Sequence, residues 1–202
     1  MKASDVTPAD PASDPGVRLM LRVRAGDAEA FRELFEQHSR AIVNFAYHFV
    51  GNRQRAEEIA QDVFLQIYRA APRYEPTAKF TTWLYRIATN ACLNEVRRPE
   101  HRHPKGPLEH QPDDEHKRAE IAYADPEAVT GDDALAGRQL GAKIQNVLAD
   151  LPPNQRAALL MSRVDGMSYQ EVADALETSE SAVKSLVFRA TATMRKELAE
   201  FL

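Results

Sequence analysis

Residues 99–132 limit what this chain can fold into. The stretch holds five prolines, is crowded with Asp and Glu, and has no sustained apolar period. Such a segment cannot bury enough surface to offset the entropy of ordering it. A flexible acidic linker is therefore expected at 99–132, between two small domains at 17–98 and 133–202. On both sides the apolar positions recur at helical spacing, so the expected fold is all-α: two helical domains joined by that linker. Residues 1–16 are rich in Pro and Asp and lack a charged region followed by an apolar one. They read as a disordered lead-in rather than a signal peptide, which points to a cytoplasmic protein. No apolar run approaches the roughly 20 residues that cross a bilayer, so membrane insertion is not expected.

The net charge of −4 argues at first against nucleic acid as a partner. Its distribution changes that inference. Residues 17–98 carry 13 basic and 9 acidic side chains, a net of +4; residues 99–135 carry 4 and 10, a net of −6. Residues 136–202 balance at 8 and 8. The acid is concentrated in the middle and masks a weakly basic front domain. Cys92, the single cysteine, sits in a helical apolar pattern and reads as core rather than as a redox or metal group.

The front domain reads as three helices. Asp27 can cap the first, with Phe31, Leu34, Phe35, Ile42, Phe45 and Phe49 as its apolar stripe; Gly51 suits its end. Asn52 can cap the second, whose inward stripe is Ala56, Ile59, Ala60, Val63, Phe64 and Ile67. Its other face, Glu58, Gln61, Asp62 and Leu65, repeats at i, i+3, i+4, i+7. An exposed Leu among acids and an amide suits a protein contact, although spacing alone fits a solvated face as well. The third helix runs from about Thr81 to Arg98, and Pro99 ends it. Phe80, Leu84, Ile87 and Ala91 lie to one side of it, and Trp83, Arg86, Asn90, Asn94 and Arg97 on or near another.

In the rear domain, helices are expected over 134–151 and 154–164, followed by a turn at Asp165-Gly166. Ser168-Tyr-Gln-Glu171 is a capping box that opens a short helix to Leu176. A tight turn at Glu177-Thr178-Ser179 leads to a last helix from Glu180 to Phe201. A short helix, a three-residue turn and a second helix is a helix-turn-helix. Ala173 permits close approach, while Val172, Leu176, Val183 and Leu186 fill the space between. The second helix would then offer Ser181, Lys184, Ser185, Phe188 and Arg189 to DNA. A plain helical hairpin with a charged face has the same pattern.

Two sets of residues carry a resemblance. Leu151-Pro-Pro-Asn-Gln-Arg156, Asp165-Gly-Met-Ser-Tyr-Gln-Glu-Val-Ala173 and Ser181-Ala-Val-Lys-Ser-Leu-Val-Phe-Arg-Ala190 resemble domain four of the extracytoplasmic-function (ECF) sigma factors of bacterial RNA polymerase. Asp27 to Phe35, Ala56 to Arg69 and Phe80 to Asn90 resemble domain two of the same family. The matches come in family order and together span about two thirds of the chain. The resemblance implies an alternative sigma factor that binds core RNA polymerase and promoter DNA and directs promoter opening and initiation. Gln61 and Asp62, with Glu58 and Leu65, would dock on a coiled coil of the largest polymerase subunit. The loop from Arg73 to Lys79, including Tyr74, and the face bearing Trp83, Arg86, Asn90, Asn94 and Arg97 would hold the −10 element as single strand with one base flipped. Lys184, Ser185 and Arg189, with Ser181 and Phe188, would face the −35 element. An anti-sigma factor is an implied partner, and the linker would thread the polymerase near the RNA path.

In that family a Gly is usual in the turn where this chain has Glu177, so a left-handed residue there would cost about 1 kcal/mol. A free-standing helix-turn-helix regulator is the competing reading. A receiver-type front domain would need alternating strands and helices, which the pattern lacks. His101, His103, His110 and His116 form no helical i, i+4 pair and lie among prolines, so no metal site is expected. No cofactor loop or catalytic nucleophile motif appears, and no enzymatic activity is expected.

Overall fold

The computed structural model describes residues 13–97 and 131–201. The described residues form eight α-helices with short 3₁₀ turns and no strand. Four precede the undescribed segment: α1 (Pro15–Arg24), α2 (Ala28–Val50), α3 (Arg53–Ala70) and α4 (Phe80–Arg97). Four follow it: α5 (Gly131–Asp150), α6 (Pro153–Arg163), α7 (Tyr169–Ala175) and α8 (Glu180–Glu197). Most of the expected linker and all four linker histidines lie outside the described residues.

The caps read from the sequence are in place. Asp27 accepts from the Ala30 amide, Asn52 from Arg55, and Ser179 from Ala182. Ser168 and Glu171 close the reciprocal capping box of α7. Gly51 ends α2 in the left-handed conformation (φ 68°), which glycine adopts without a Cβ penalty.

Helix α1 was not expected. Residues 14–16 were assigned to a disordered lead-in, yet Asp14 caps this helix and Pro15 occupies its first turn, where its missing amide costs nothing. Gly16, Val17 and Met20 are buried against the other front helices. Helix α5 begins at Gly131, inside the expected linker.

The front core is built on Leu34, Ile42, Phe45, Val63, Ile67, Phe80 and Leu84, all fully buried. Met161, Val172 and Val183 anchor the rear one. These residues belong to a single connected apolar cluster, because α2 packs on α5 and α6, and α4 on α6 and α7. Cys92 is fully buried, and burial pushes its thiol up to about 12, which leaves it protonated.

Candidate functional site

Helix α3 turns its apolar stripe inward and leaves Gln61, Asp62 and Leu65 exposed, as its spacing predicts. Glu58 differs. It is only part-exposed and is ion-paired with Arg55, whose guanidinium also makes a bidentate bond to the buried Glu95 at 2.6 and 2.8 Å. Phe35, expected in the core stripe of α2, is 40% exposed and packs edge-on against Phe64. Phe35 and Tyr68 (55% exposed) add to the expected Leu65 (48%) two exposed apolar side chains that sequence reasoning did not mark. The signal was present: Phe31 and Phe35 extend the α2 stripe past the width that one packed neighbour can cover.

The loop before α4 starts as a 3₁₀ turn over Ala71–Arg73 and leaves Arg73 and Lys79 exposed. Tyr74 was expected to face DNA. Instead it is 4% exposed, packs with its ring tilted 52° against that of Trp83 at 4.9 Å, and has its carbonyl held by Arg24 at 3.0 Å. Burial pushes its hydroxyl up to about 12. A large ring beside Trp83 and α1 buries more apolar area than an open loop would, so Tyr74 supports the loop instead of lining its surface. Trp83 is half-buried between Tyr74 and Phe80. Asn90, Asn94 and Arg97 are exposed and share one side of α4.

The first half of α4 meets the rear helices. Lys79 Nζ lies 2.6 Å from Glu171 Oε1 at the start of α7. Glu171 thereby serves two partners, because its other oxygen accepts the Ser168 amide of the capping box at 2.8 Å. Burial raises the pKa of this carboxyl, but Lys79 and Ser168 outweigh it and the net shift is downward. Arg86 Nη2 donates to the Asp174 carbonyl at 2.7 Å, and Nη1 lies 3.5 Å from Glu177. Burial pushes the carboxyl of Asp165, beside the Tyr85 hydroxyl, up to about 6. None of these pairings was read from the sequence.

Helix α8 buries Val183, Val187 and Ala190 and leaves Ser181, Lys184, Ser185, Phe188 and Arg189 exposed along one side. Phe188 is 75% exposed. Lys184 pairs with Glu180 at 2.7 Å, and Ser185 donates to the Ser181 carbonyl. Glu177 does take the left-handed conformation (φ 52°) in the turn before this helix. Among the described residues, no cluster of metal-ligating side chains occurs and no helix is long and apolar enough to cross a membrane.

Residues 34–102 match the sigma-70 region 2 family, and residues 141–194 match sigma-70 region 4. The chain is 33% identical to the ECF RNA polymerase sigma factor SigE of Mycolicibacterium smegmatis over 168 residues, 83% of this chain and 61% of that protein. It is 30% identical to the RNA polymerase sigma-H factor of Pseudomonas aeruginosa, covering 92% of this chain and 94% of that one. Its fold is similar to that of the sigma factor RpoE of Bartonella quintana, solved in complex with the anti-sigma factor NepR, with a TM-score of 0.61 at 18% identity over 85% of this chain and 98% of that one. The two matched regions in this order, on the helices that carry the three exposed rows, make the chain a member of the ECF group of the sigma-70 family, an alternative sigma factor rather than a free-standing regulator.

Proposed function

We propose that this sigma factor divides its work among three exposed rows, carried by domains at 17–98 and 133–202. The α3 row of Gln61, Asp62 and Leu65, extended by Phe35 and Tyr68, docks on core RNA polymerase. Arg73, Lys79, Trp83, Arg86, Asn90, Asn94 and Arg97 hold the −10 strand. Ser181, Lys184, Ser185, Phe188 and Arg189 read the −35 element. The observation that carries this reading is the segregation on α8, where one side packs and the other presents a cation pair, two hydroxyls and an aromatic to solvent. Amides and guanidinium groups on α4 suit bases and phosphates, and the half-buried indole suits stacking. Promoter opening then needs no nucleotide hydrolysis by this chain, because capture of the unstacked strand offsets the few kcal/mol lost per step. Activity of this kind belongs inside the cell, and an anti-sigma factor that covers the exposed rows would hold the chain inactive.

Run-off transcription on a library of promoter fragments, with purified core polymerase and with or without this protein, tests the reading. Transcripts that appear only on its addition, with aligned start sites, support it. Duplex DNA binding without core binding would overturn it.

A further inference from the structure

The loop before α4 is fastened at both ends to one helix, α1. Arg24, in the last turn of α1, donates from Nη1 to the Tyr74 carbonyl where the loop starts, at 3.0 Å. Asp14, which caps the other end of α1, accepts the Phe80 amide where the loop stops, at 2.7 Å. Each bond has one ionised partner, which makes it about twice as strong as a neutral one. Helix α1 is itself anchored, because Val17 and Met20 are fully buried in the front core.

Little else holds the loop. From Tyr74 to Phe80 the chain can span at most about 20 Å. Tyr74 and Phe80 are buried with their rings against Trp83, while Glu75, Thr77 and Lys79 between them are exposed. Inside the loop, the Thr77 amide donates to the Glu75 carbonyl at 3.0 Å. Two buried rings and two charged side chains thus fix the ends, and the exposed middle takes its shape from where those ends are held. A loop fastened this way has fewer conformations to lose when a strand settles on it.

We propose that α1 is a strut for promoter reading. Arg24 and Asp14 are positioning residues: without touching DNA, they set the shape of the 74–79 loop and so decide which −10 sequences it accepts. This rests on the assignment of that loop to the −10 strand. Selection by shape is sensitive to the strut because a misplacement of about 1 Å is enough to spoil a fitted site.

The variants are R24A and D14N. Asn is as good an N-cap as Asp, so α1 keeps its start, but its single acceptor cannot serve both amides that Asp14 serves. R18Q is the control for charge: it removes a cation of the same helix that bonds the Ser13 carbonyl instead. Each full-length protein, with core polymerase, transcribes two template libraries made from a promoter on which the unmodified protein initiates. One is randomised in the −10 element and the other in the −35 element. The strut predicts that R24A and D14N compress the spread of −10 preferences roughly three- to tenfold, leave the −35 ranking intact, and that R18Q changes neither. A role in folding alone would lower every template in proportion and move neither ranking. That result, no change at all, compression of both rankings, or the same change in R18Q would each overturn the proposal. R73A/K79A, in the loop itself, separates the strut from the assignment beneath it. If that variant also leaves the −10 ranking unmoved, the loop does not hold the strand and the assignment has failed. If it moves the ranking and the strut variants do not, the strut alone has failed.

Discussion

Asp14 and Phe80 are 66 residues apart, yet the Asp14 carboxylate accepts the Phe80 backbone amide at 2.7 Å, while its other oxygen caps α1 through Gly16 at 3.1 Å. One side chain therefore starts two helices. Helix α4 has to begin at Phe80 for the row proposed to hold DNA to be aimed, so the N-terminal helix sets the register of that row. Asp14→Ala should cost about 1–2 kcal/mol, the loss of one to two caps, seen as a lower urea midpoint. Gly16→Ala tests the same junction by volume. A Cβ there would lie 2.7 Å from Phe80 Cβ. Ala normally gains in a helix, but here overpacking should cost about 1–3 kcal/mol. A stabilised Gly16→Ala variant would show that α1 does not seat on α4.

What was legible in the sequence was local. Asp27, Asn52, Ser168, Ser179 and Gly51 each act within four residues, and each sits where its chemistry predicts. The apolar stripe of α3 was equally readable, because one period decides which side packs. Asp14-Pro15-Gly16 carried a start signal of the same kind, but the polar residues before it masked it as lead-in. The closing contacts were not legible. Whether Arg86 meets DNA or the end of α7, and whether Arg156 is a surface cation or a buried cap, depends on the packing of helices far apart in sequence. Tyr74 was misplaced for a related reason: its burial is decided by Arg24 and Trp83, not by its own loop.

The Arg55–Glu95 pair predicts an asymmetry. Glu95 is 4% exposed and Arg55 partly so, with Glu58 as a second partner. Removing the arginine takes the bidentate cation away from a buried carboxylate, whereas neutralising Glu95 leaves a part-exposed cation with both water and Glu58. Arg55→Ala should therefore cost about 3 kcal/mol or more and Glu95→Gln nearer 1. Denaturant titration of the two variants separates them. Equal losses would mean that the pair is solvated in solution.

Glu177 tests backbone strain. Its φ of 52° suits glycine, and its ion pair with Arg86 spans 3.5 Å from a carboxylate 70% exposed, so that contact contributes little. Glu177→Gly should stabilise the helix-turn-helix by about 0.5–1 kcal/mol despite the greater freedom glycine gives the unfolded chain. A higher thermal midpoint is the expected reading, and a drop of more than about 1 kcal/mol would mean that the pair with Arg86 outweighs the strain.

Asp165 predicts a pH dependence of definite sign. Burial pushes its carboxyl up to about 6 from an ordinary 3.8, against the lowering effect of the Tyr85 hydroxyl. Between those values the unfolded chain has given up its proton and the native chain has not. The native state thus binds more protons, and stability falls as pH rises from about 4 to about 6, then levels off. The full shift corresponds to about 3 kcal/mol, reduced by solvent screening to about 1–2 for a half-buried group. Asp165→Asn keeps an acceptor for Tyr85 and removes the ionisation. The variant should melt within a degree or so of the parent near pH 4 and about 2–6 °C above it near pH 7.5. Glu171 and Asp27, whose carboxyls are held low, push the other way, adding stability that is lost as pH falls. They do so equally in both proteins, so the difference between the two melting curves isolates Asp165. A difference that stays flat from pH 4 to 7.5 would mean that this carboxyl is solvated and ionises freely in the native state.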